Sequence, residues 1–497
     1  MGFQDLRDWL EQVDAIGQLT RVEGIDSDLE LGTLASLSYK RPLGQRKALL
    51  FDKIKGHAPG YRVLTDALGS VERLALTTGV TGAHEPMDFV RAWRTRRPRF
   101  QSLPPVEVED GPVLENVQCG TDVDLEQFPV PRWHEHDGGR YIGTGACSIT
   151  RDPGAGWINL GTYRVMLHDR SSVGWYVSPA HHGFIHRTGY WERGEPMPIA
   201  ITFGQDPLLT LAASTEVPFG ESEYDWAGGV RGCPYQVVRG PATGLPIPAR
   251  AEIAIEGEVV AGEVREEGPF GEWTGYYASG SRSEPVIRVK TLMWRNDPIL
   301  YGVAPGRPPH EGSTYRALLT AASIWDELER SGVPGIQGVW RMQPGGGRLW
   351  TTIAIKQLYA GHAKQALLAA AGLRSSSSMY TYYVAVDDDV DPANLKEVLW
   401  AMQTRVDPAT DVEIIHEAWT SDLDPRLSPA KRAAGELTVG RLLINACRPY
   451  AWKEQFPRTN ASSAQLRHQV TEKYRELLDS FSSPGARAGA MFDPRLR

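Results

Sequence analysis

The chain is 497 residues long, well past the size at which one hydrophobic core stops growing, so two or three domains are expected and a small binding module is excluded. Hydrophobic residues at 41% and charged residues at 23% match soluble globular proteins, and 51 Gly with 35 Pro indicate many turns, which excludes wholesale disorder. Lys plus Arg number 53 against 61 Asp plus Glu, and a formal charge of -8 has the wrong sign for wrapping a phosphate backbone, so no nucleic-acid partner is expected.

At the N-terminus, Asp5 and Asp8 stand where a signal peptide carries base, and no apolar run reaches membrane-spanning length; a cytoplasmic protein without membrane contact is expected. Cys119, Cys147, Cys233 and Cys447 lie far apart with no CxxC pair, which argues for reduced thiols rather than a disulfide framework or structural zinc. Phe3, Leu6, Trp9, Leu10 and Val13 recur at helical spacing and predict an opening amphipathic helix that stops near Gly17.

From about 112 to 300 the texture becomes short alternating runs broken by Gly and Pro, such as Ala251 to Gly257 and Val286 to Lys290. This is the period of strands in a largely antiparallel sheet or barrel. Ser313 could cap a helix running to about Glu329, stopped by Gly332 and Pro334 and linking two domains. Beyond it, strand-like Thr352–Ile355, a helix from His362 to Ala371, strand-like Tyr382–Val386 and a helical stretch through Trp400 give β-α-β order, hence an α/β domain at about 333–450. A last amphipathic helix at about 462–481 carries Leu466, Val470, Tyr474, Leu477 and Leu478 as an apolar stripe. A polar tail, Ser482 to Gly485, follows.

Several clusters could carry chemistry. His181, His182 and His186 fall within six residues and suit a divalent metal or proton transfer, although on a strand adjacent side chains point apart and only one of the first pair would face a given site. Glu221, Glu223 and Asp225 alternate as they would on one strand face. Glu267 and Glu272 flank the turn Gly268-Pro269-Phe270-Gly271, which could aim both carboxylates inward from a scaffold or belong to a charged surface hairpin. Asp387 to Asp391 lacks the Gly and Glu of an EF-hand loop and reads as a strand end feeding the N-cap of the next helix. Pro344 to Gly347 lacks the Lys of a P-loop and reads as a flexible turn.

Taken in order, six separated motifs resemble the UbiD family of prenylated-FMN-dependent (de)carboxylases. They are Asn159-Leu-Gly-Thr-Tyr-Arg164, Pro179-Ala-His-His-Gly183, Ser222 to Gly232, Glu267 to Glu272, Gly361-His-Ala-Lys-Gln365, and Asp387 to Pro392 running on to Trp400-Ala-Met-Gln-Thr-Arg405. The resemblance covers roughly residues 3–450. It implies a mixed α+β fold: an N-terminal α/β region over 1–111, a split-barrel flavin domain over 112–312, a linker helix over 313–332, an α/β C-terminal lid and dimerisation domain over 333–460, and a terminal helix and tail over 461–497.

The same resemblance implies a divalent ion, Mn2+ or Mg2+, held by Asn159, His181 and Glu223 and tied to the flavin phosphate, with K+ beside it on backbone oxygens. Thr162, Tyr163 and Arg164 join these three as cofactor-binding residues. Choosing His181 over His182 depends on aligning Gly183 with the family's glycine. Arg164, Glu267 and Glu272 become the catalytic set. Ala180 stands where some members have glutamine, and Tyr382 where some have lysine, so contacts around the cofactor differ in detail.

The implied reaction is reversible, non-oxidative decarboxylation of an aromatic, heteroaromatic or α,β-unsaturated carboxylic acid through a covalent adduct with prenylated FMN. Its partners would be the acid, CO2, a flavin prenyltransferase as cofactor supplier, and a second copy of the chain in a homodimer or assembly of dimers. Two alternatives stand beside it: a flavin reductase using plain FMN on a related barrel, and a catalytically silent cofactor carrier.

Overall fold

The computed structural model describes residues 2–97, 100–179, 181–215, 217–278, 280–373, 375 and 379–481. The expected polar tail and Ala180 lie outside these described residues. The chain divides into two compact units, Met1–Cys447 and Arg448–Arg497.

The opening helix is α1, Leu6–Ala15, with Leu6, Trp9, Leu10 and Val13 buried as their spacing predicts. Asp5 caps it by accepting from the backbone N–H groups of Arg7 and Asp8, and Gly17, at φ 69°, turns the chain out of it. A small sheet follows in the order β1 (Leu19–Glu23), β2 (Ala48–Asp52), β3 (Arg62–Thr65) and β12 (Ile299–Tyr301), so the chain returns to it after the whole central region has been laid down.

That central region is one curled sheet. Its strands are β4 (Tyr141–Gly143), β5 (Cys147–Arg151), β6 (Ile158–Gly161), β7 (Arg164–Asp169), β8 (Ser172–Tyr176), β9 (Met197–Thr202), β10 (Ile253–Glu267) and β11 (Arg282–Trp294). They run in the order β4-β7-β8-β11-β10-β9-β5-β6, with Asn116–Cys119 added on β11. Inward positions of β8, β9 and β10, such as Val173, Trp175, Ile199, Ile201, Ile253 and Ile255, share one core cluster. Alternation in the sequence thus becomes a half-barrel with an apolar interior.

Two helices attach to its rim: α2, His182–Glu192, and α3, Glu223–Arg231. Both correct expectations. His181 and His182 sit at a helix N-terminus rather than along a strand, and Glu223 with Asp225 lies on a helix, where the alternation of Glu221, Glu223 and Asp225 does not put them on one face. Ser222 caps α3 and Gly232, at φ 83°, ends it, so local capping overrides the apparent period of two.

The long helix α4, Glu311–Arg330, starts two residues before the expected Ser313, with His310 as its N-cap. A second sheet follows in the order β13 (Ile336–Arg341), β14 (Trp350–Ile355), β15 (Tyr382–Asp387), β17 (Thr438–Ala446), β16 (Val412–Trp419), with β14, β15 and β17 parallel. Helices α5 (His362–Gly372) and α6 (Leu395–Arg405) are the expected crossovers. The acidic run after β15 does not supply the cap of α6, which is Asn394; instead Asp387 and Asp389 each accept from Arg405 Nη1 at 3.0 Å.

In the second unit the expected single helix is two, α7 (Ala464–Lys473) and α8 (Arg475–Phe481), because Tyr474 leaves helical geometry at φ -119°, ψ 28°. Leu466, Val470, Tyr474, Leu477 and Leu478 are exposed. Among the described residues no helix is long and apolar enough to cross a membrane.

Candidate active site

The register of the central sheet brings the candidate catalytic residues Arg164, Glu267 and Glu272 together. Arg164, the first residue of β7, lies opposite Tyr176 at the end of β8, and Glu267, the last of β10, lies opposite Arg282 at the start of β11. After Glu267 the chain turns at Gly268, whose φ of 90° excludes side-chain-bearing residues. The turn is pinned: Gly138 N–H donates to the Pro269 carbonyl at 2.8 Å and Gly271 N–H to Asp137 Oδ1 at 2.9 Å. It returns Glu272 to the same guanidinium.

Arg164 donates from Nε to Glu267 Oε1 at 2.7 Å, from Nη2 to Glu267 Oε2 at 2.6 Å, and from Nη1 to Glu272 Oε1 at 2.5 Å. The rings of Tyr176 and Phe270 cover it, their centroids 4.5 and 4.9 Å from Cζ. Glu267 is fully buried, Glu272 7% exposed and Arg164 8%, so the turn is no surface hairpin. Burial raises the Glu272 pKa above the ordinary carboxylate range, Arg164 opposing and Glu267 reinforcing the rise. Burial pulls the Arg164 guanidinium down, but the two carboxylates more than restore it.

Asn159, His181 and Glu223 stand on or beside three elements that contacts through Leu160 and Tyr163 tie to one another. Asn159 on β6 is buried and donates from Nδ2 to Thr150 Oγ1 at 3.1 Å. Glu223, first residue of α3, accepts the N–H of Leu160, the neighbour of Asn159, at 2.6 Å. No cationic side chain among the described residues pairs with Glu223, and burial pushes it up to about 8, the Leu160 bond pulling the other way. Tyr163 joins the third element: its hydroxyl accepts the Gly183 N–H at 3.0 Å while its ring stands edge-on to His181 at 6.0 Å.

The adjacent histidines diverge. His181 shares a hydrogen bond between Nδ1 and the Ser178 carbonyl at 3.2 Å, which presents Nε2 as the basic nitrogen, the form in which imidazole binds metal. His182 packs edge-on against Trp157 and Phe219 at 5.2 and 5.5 Å. His186 is buried, shares a bond with Thr150 Oγ1 at 3.0 Å, and is pulled down to about 4 by burial, so it stays neutral and structural. Glu221 is exposed and Asp225 accepts from Ser102 at 3.4 Å, so neither joins Glu223. Thr162 donates its N–H to the Ala213 carbonyl at 3.1 Å on the same rim.

An amide oxygen, an imidazole and a buried carboxylate without a counter-charge fit a hard to borderline divalent ion that also accepts phosphate oxygens. Among the described residues no group of three or more His, Cys, Asp or Glu could hold a metal; this set contributes only two of those types. Sequence reading missed Tyr176 and Asp137 and gave Phe270, inside the turn it singled out, no role of its own. No local signal marks Tyr176 or Asp137, because only strand register and the return of the turn place them here.

Comparison with known proteins identifies the family. Three domain descriptions of one family match in order: the 3-octaprenyl-4-hydroxybenzoate carboxy-lyase N-terminal domain over residues 10–93, its Rift-related domain over 105–308, and its C-terminal domain over 313–446. The chain belongs to the UbiD family. Pyrrole-2-carboxylic acid decarboxylase of Pseudomonas aeruginosa is 32% identical over 480 residues, 93% of this chain and 94% of that protein. Vanillic acid decarboxylase of Sedimentibacter hydroxybenzoicus in its open form has a TM-score of 0.81 at 30% identity, covering 97% of this chain and all of that one. An evolved dimeric form of the UbiD-class enzyme HmfF from Pelotomaculum thermopropionicum, in complex with prFMN, has a TM-score of 0.78 at 27% identity, covering 94% and 98%.

Proposed function

We propose that the chain is a non-oxidative, reversible decarboxylase of an aromatic, heteroaromatic or α,β-unsaturated carboxylic acid that works with prenylated FMN. The observation that carries this is the buried Arg164 held by both Glu267 and Glu272 in a member of a decarboxylase family. A guanidinium has five N–H donors. Three are engaged here, and those remaining can grip a substrate carboxylate, replacing part of its hydration. Glu267, bidentate on Nε and Nη2, fixes the plane of the guanidinium.

When bound, the prenylated flavin supplies the electron sink for the pair released as the C–CO2 bond breaks. Glu272, kept protonated more readily by burial and by Glu267, then delivers its proton to the carbon that has lost CO2. Tyr176 and Phe270 exclude water from that step. Read backwards, Glu272 accepts the proton and carboxylation follows.

Asn159, His181 and Glu223 would hold Mn2+ or Mg2+, which would supply positive charge for the flavin phosphate, with K+ as a second cation of the site and Thr162 and Tyr163 as further cofactor-binding residues. Supply of the cofactor by a flavin prenyltransferase follows from its chemistry. The proposed compartment is the cytoplasm, where four free cysteines stay reduced. A homodimer or assembly of dimers is proposed from the exposed apolar stripe of α7 and α8 and from the dimeric relative. A plain flavin reductase is not favoured, since the full-length relatives are decarboxylases and hydride transfer has no use for the Arg164 cluster.

The test is cofactor dependence. Protein made without prenylated flavin should fail to decarboxylate a panel of aromatic and unsaturated acids, and co-expression with the prenyltransferase should restore turnover and the altered flavin absorbance. Turnover with plain FMN alone refutes the reading.

A further inference from the structure

We infer that Asp422 is a positioning residue of the proton-transfer site, setting through Arg282 and Tyr176 the charge that Glu272 meets. Asp422 follows β16, in the part matched by the family's C-terminal domain, whereas Tyr176 and Arg282 belong to the central sheet. Its Oδ2 accepts from Arg282 Nη1 at 3.2 Å and from the Tyr176 hydroxyl at 3.3 Å, and Ser421 Oγ donates to its Oδ1 at 3.2 Å. The Tyr176 ring lies between two guanidiniums, with Arg164 Cζ 4.5 Å and Arg282 Cζ 4.2 Å from its centroid. Strand register completes the ring of contacts: Tyr176 opposes Arg164, Arg282 opposes Glu267, and Arg164 binds Glu267. One carboxylate from the C-terminal region therefore closes onto both neighbours of the catalytic arginine.

The consequence is electrostatic. The charges facing Glu272 are Arg164 from β7, Glu267 from β10, Arg282 from β11 and Arg348 from the loop between β13 and β14. Arg282 is shared between Asp422 and Glu284, whose Oε1 lies 3.4 Å from Nε. Removing the Asp422 charge leaves Arg282 less compensated, so its field favours ionised Glu272 and lowers the pH at which the acid is lost. Removing Arg282 does the opposite. Decarboxylation that needs protonated Glu272 falls as pH rises through that value, so the alkaline limb of the rate profile reports it.

This inference rests on the reading of Glu272 as proton donor, and its test separates the two. In enzyme loaded with prenylated flavin, Asp422→Asn should keep flavin absorbance and unfolding midpoint. Its alkaline limb should move down by about half a unit, less than the shift a directly adjacent charge produces. Arg282→Gln should move the limb up, and the double variant should return it towards wild type. A limb that stays put in Asp422→Asn, or moves the same way in both single variants, overturns the inference. If Arg282→Gln does not fold, Asp422→Ala must shift the limb as Asp422→Asn does, since both delete the charge; a shift in only one overturns it. A limb retained by Glu272→Gln removes the donor assignment itself, whereas a limb lost there and unmoved in Asp422→Asn refutes the role of Asp422 alone.

Discussion

Two buried ionic clusters in the first unit share their chemistry and differ in their charge balance. Beneath the small N-terminal sheet, Arg46 donates to Asp66 at 2.7 and 3.3 Å and to Thr314 at 3.1 Å, while Arg73, 3.8 Å from Asp66, donates to Gln18 and to the carbonyls of Ala67 and Arg46. Glu311 completes the set by accepting from Leu68 N–H and the Tyr301 hydroxyl. Two arginines meet two carboxylates. Packing leaves no room for anything else, for a Cβ on Gly69 would fall 1.6 Å from Asp66 Oδ1. In the central sheet the ion-paired groups are one arginine, Arg164, and two carboxylates, Glu267 and Glu272, with Arg282 and Arg348 facing Glu272 outside ion-pair distance. Burial first, and then the second carboxylate of the pair, favours a proton on Glu272, and donors on Arg164 remain unspent. Balance makes a structural cluster; imbalance in an otherwise closed site makes a reactive one.

The largest effect should come from breaking the balanced cluster. Asp66→Ala leaves Arg46 and Arg73 buried without their shared counter-charge, and should destabilise the protein by about 3–5 kcal/mol in chemical denaturation while leaving turnover per folded molecule unchanged. A loss under about 1 kcal/mol would show that Glu311 suffices as partner.

Next in size is the imbalanced cluster. Glu272→Gln keeps shape and a hydrogen-bond acceptor for Arg164 but cannot give up a proton, so turnover should fall at least about a hundredfold with substrate and cofactor still bound. Incorporation of deuterium from D2O into the product C–H reports protonation apart from CO2 release. If Glu267→Gln loses both signals while Glu272→Gln keeps them, the donor is Glu267 and the two roles exchange.

Much of this contrast was legible in the sequence on one side only. Glu267 and Glu272 stand five residues apart around a Gly-Pro turn, and such spacing can be read. Arg46, Asp66 and Arg73 are spread over nearly thirty residues and meet only after β2 and β3 pair, so no local pattern marks them. The same holds for Asp422, which reaches Arg282 across 140 positions of chain. The helical stripe read at the N-terminus fell on α1, that read after Ser313 fell on α4 although the helix starts earlier, and the strand stretches read at 251–257, 286–290, 352–355 and 382–386 fell on β10, β11, β14 and β15. The alternation of three acids points to a strand at Glu223, although Ser222 and Gly232 flank it as helix caps. Where a capping pair and a short period compete, the caps decide, because each satisfies backbone groups that alternation leaves open.

Glu223 extends the comparison to a third case, a buried carboxylate with no cation at all among the described residues. If a divalent ion supplies the missing charge, His181→Ala should weaken metal retention roughly tenfold or more, and flavin retention with it, by metal analysis and absorbance of the purified protein. His182→Ala, which removes an aromatic contact to Trp157 and Phe219, should leave both in place. The reverse pattern would move the ligand by one residue.

The smallest effect tests whether burial, rather than the ion pair as such, gives these clusters their weight. Arg21 and Asp14 form an ion pair at 2.9 Å, within hydrogen-bond distance like those inside, but their side chains are 58% and 49% exposed. Water already solvates both charges there, salt screens them, and holding two long side chains in one geometry costs entropy, so little net energy remains. Asp14→Asn should therefore change stability by less than about 0.5 kcal/mol in denaturant titration and leave turnover untouched. The same carboxylate-to-amide change at Asp66 removes a charge that has no water to fall back on, so Asp66→Asn should cost severalfold more than Asp14→Asn. Equal losses at the two positions would mean that the pairing itself, and not its desolvation, governs the cost, and the distinction drawn between balanced and imbalanced buried clusters would lose its physical basis.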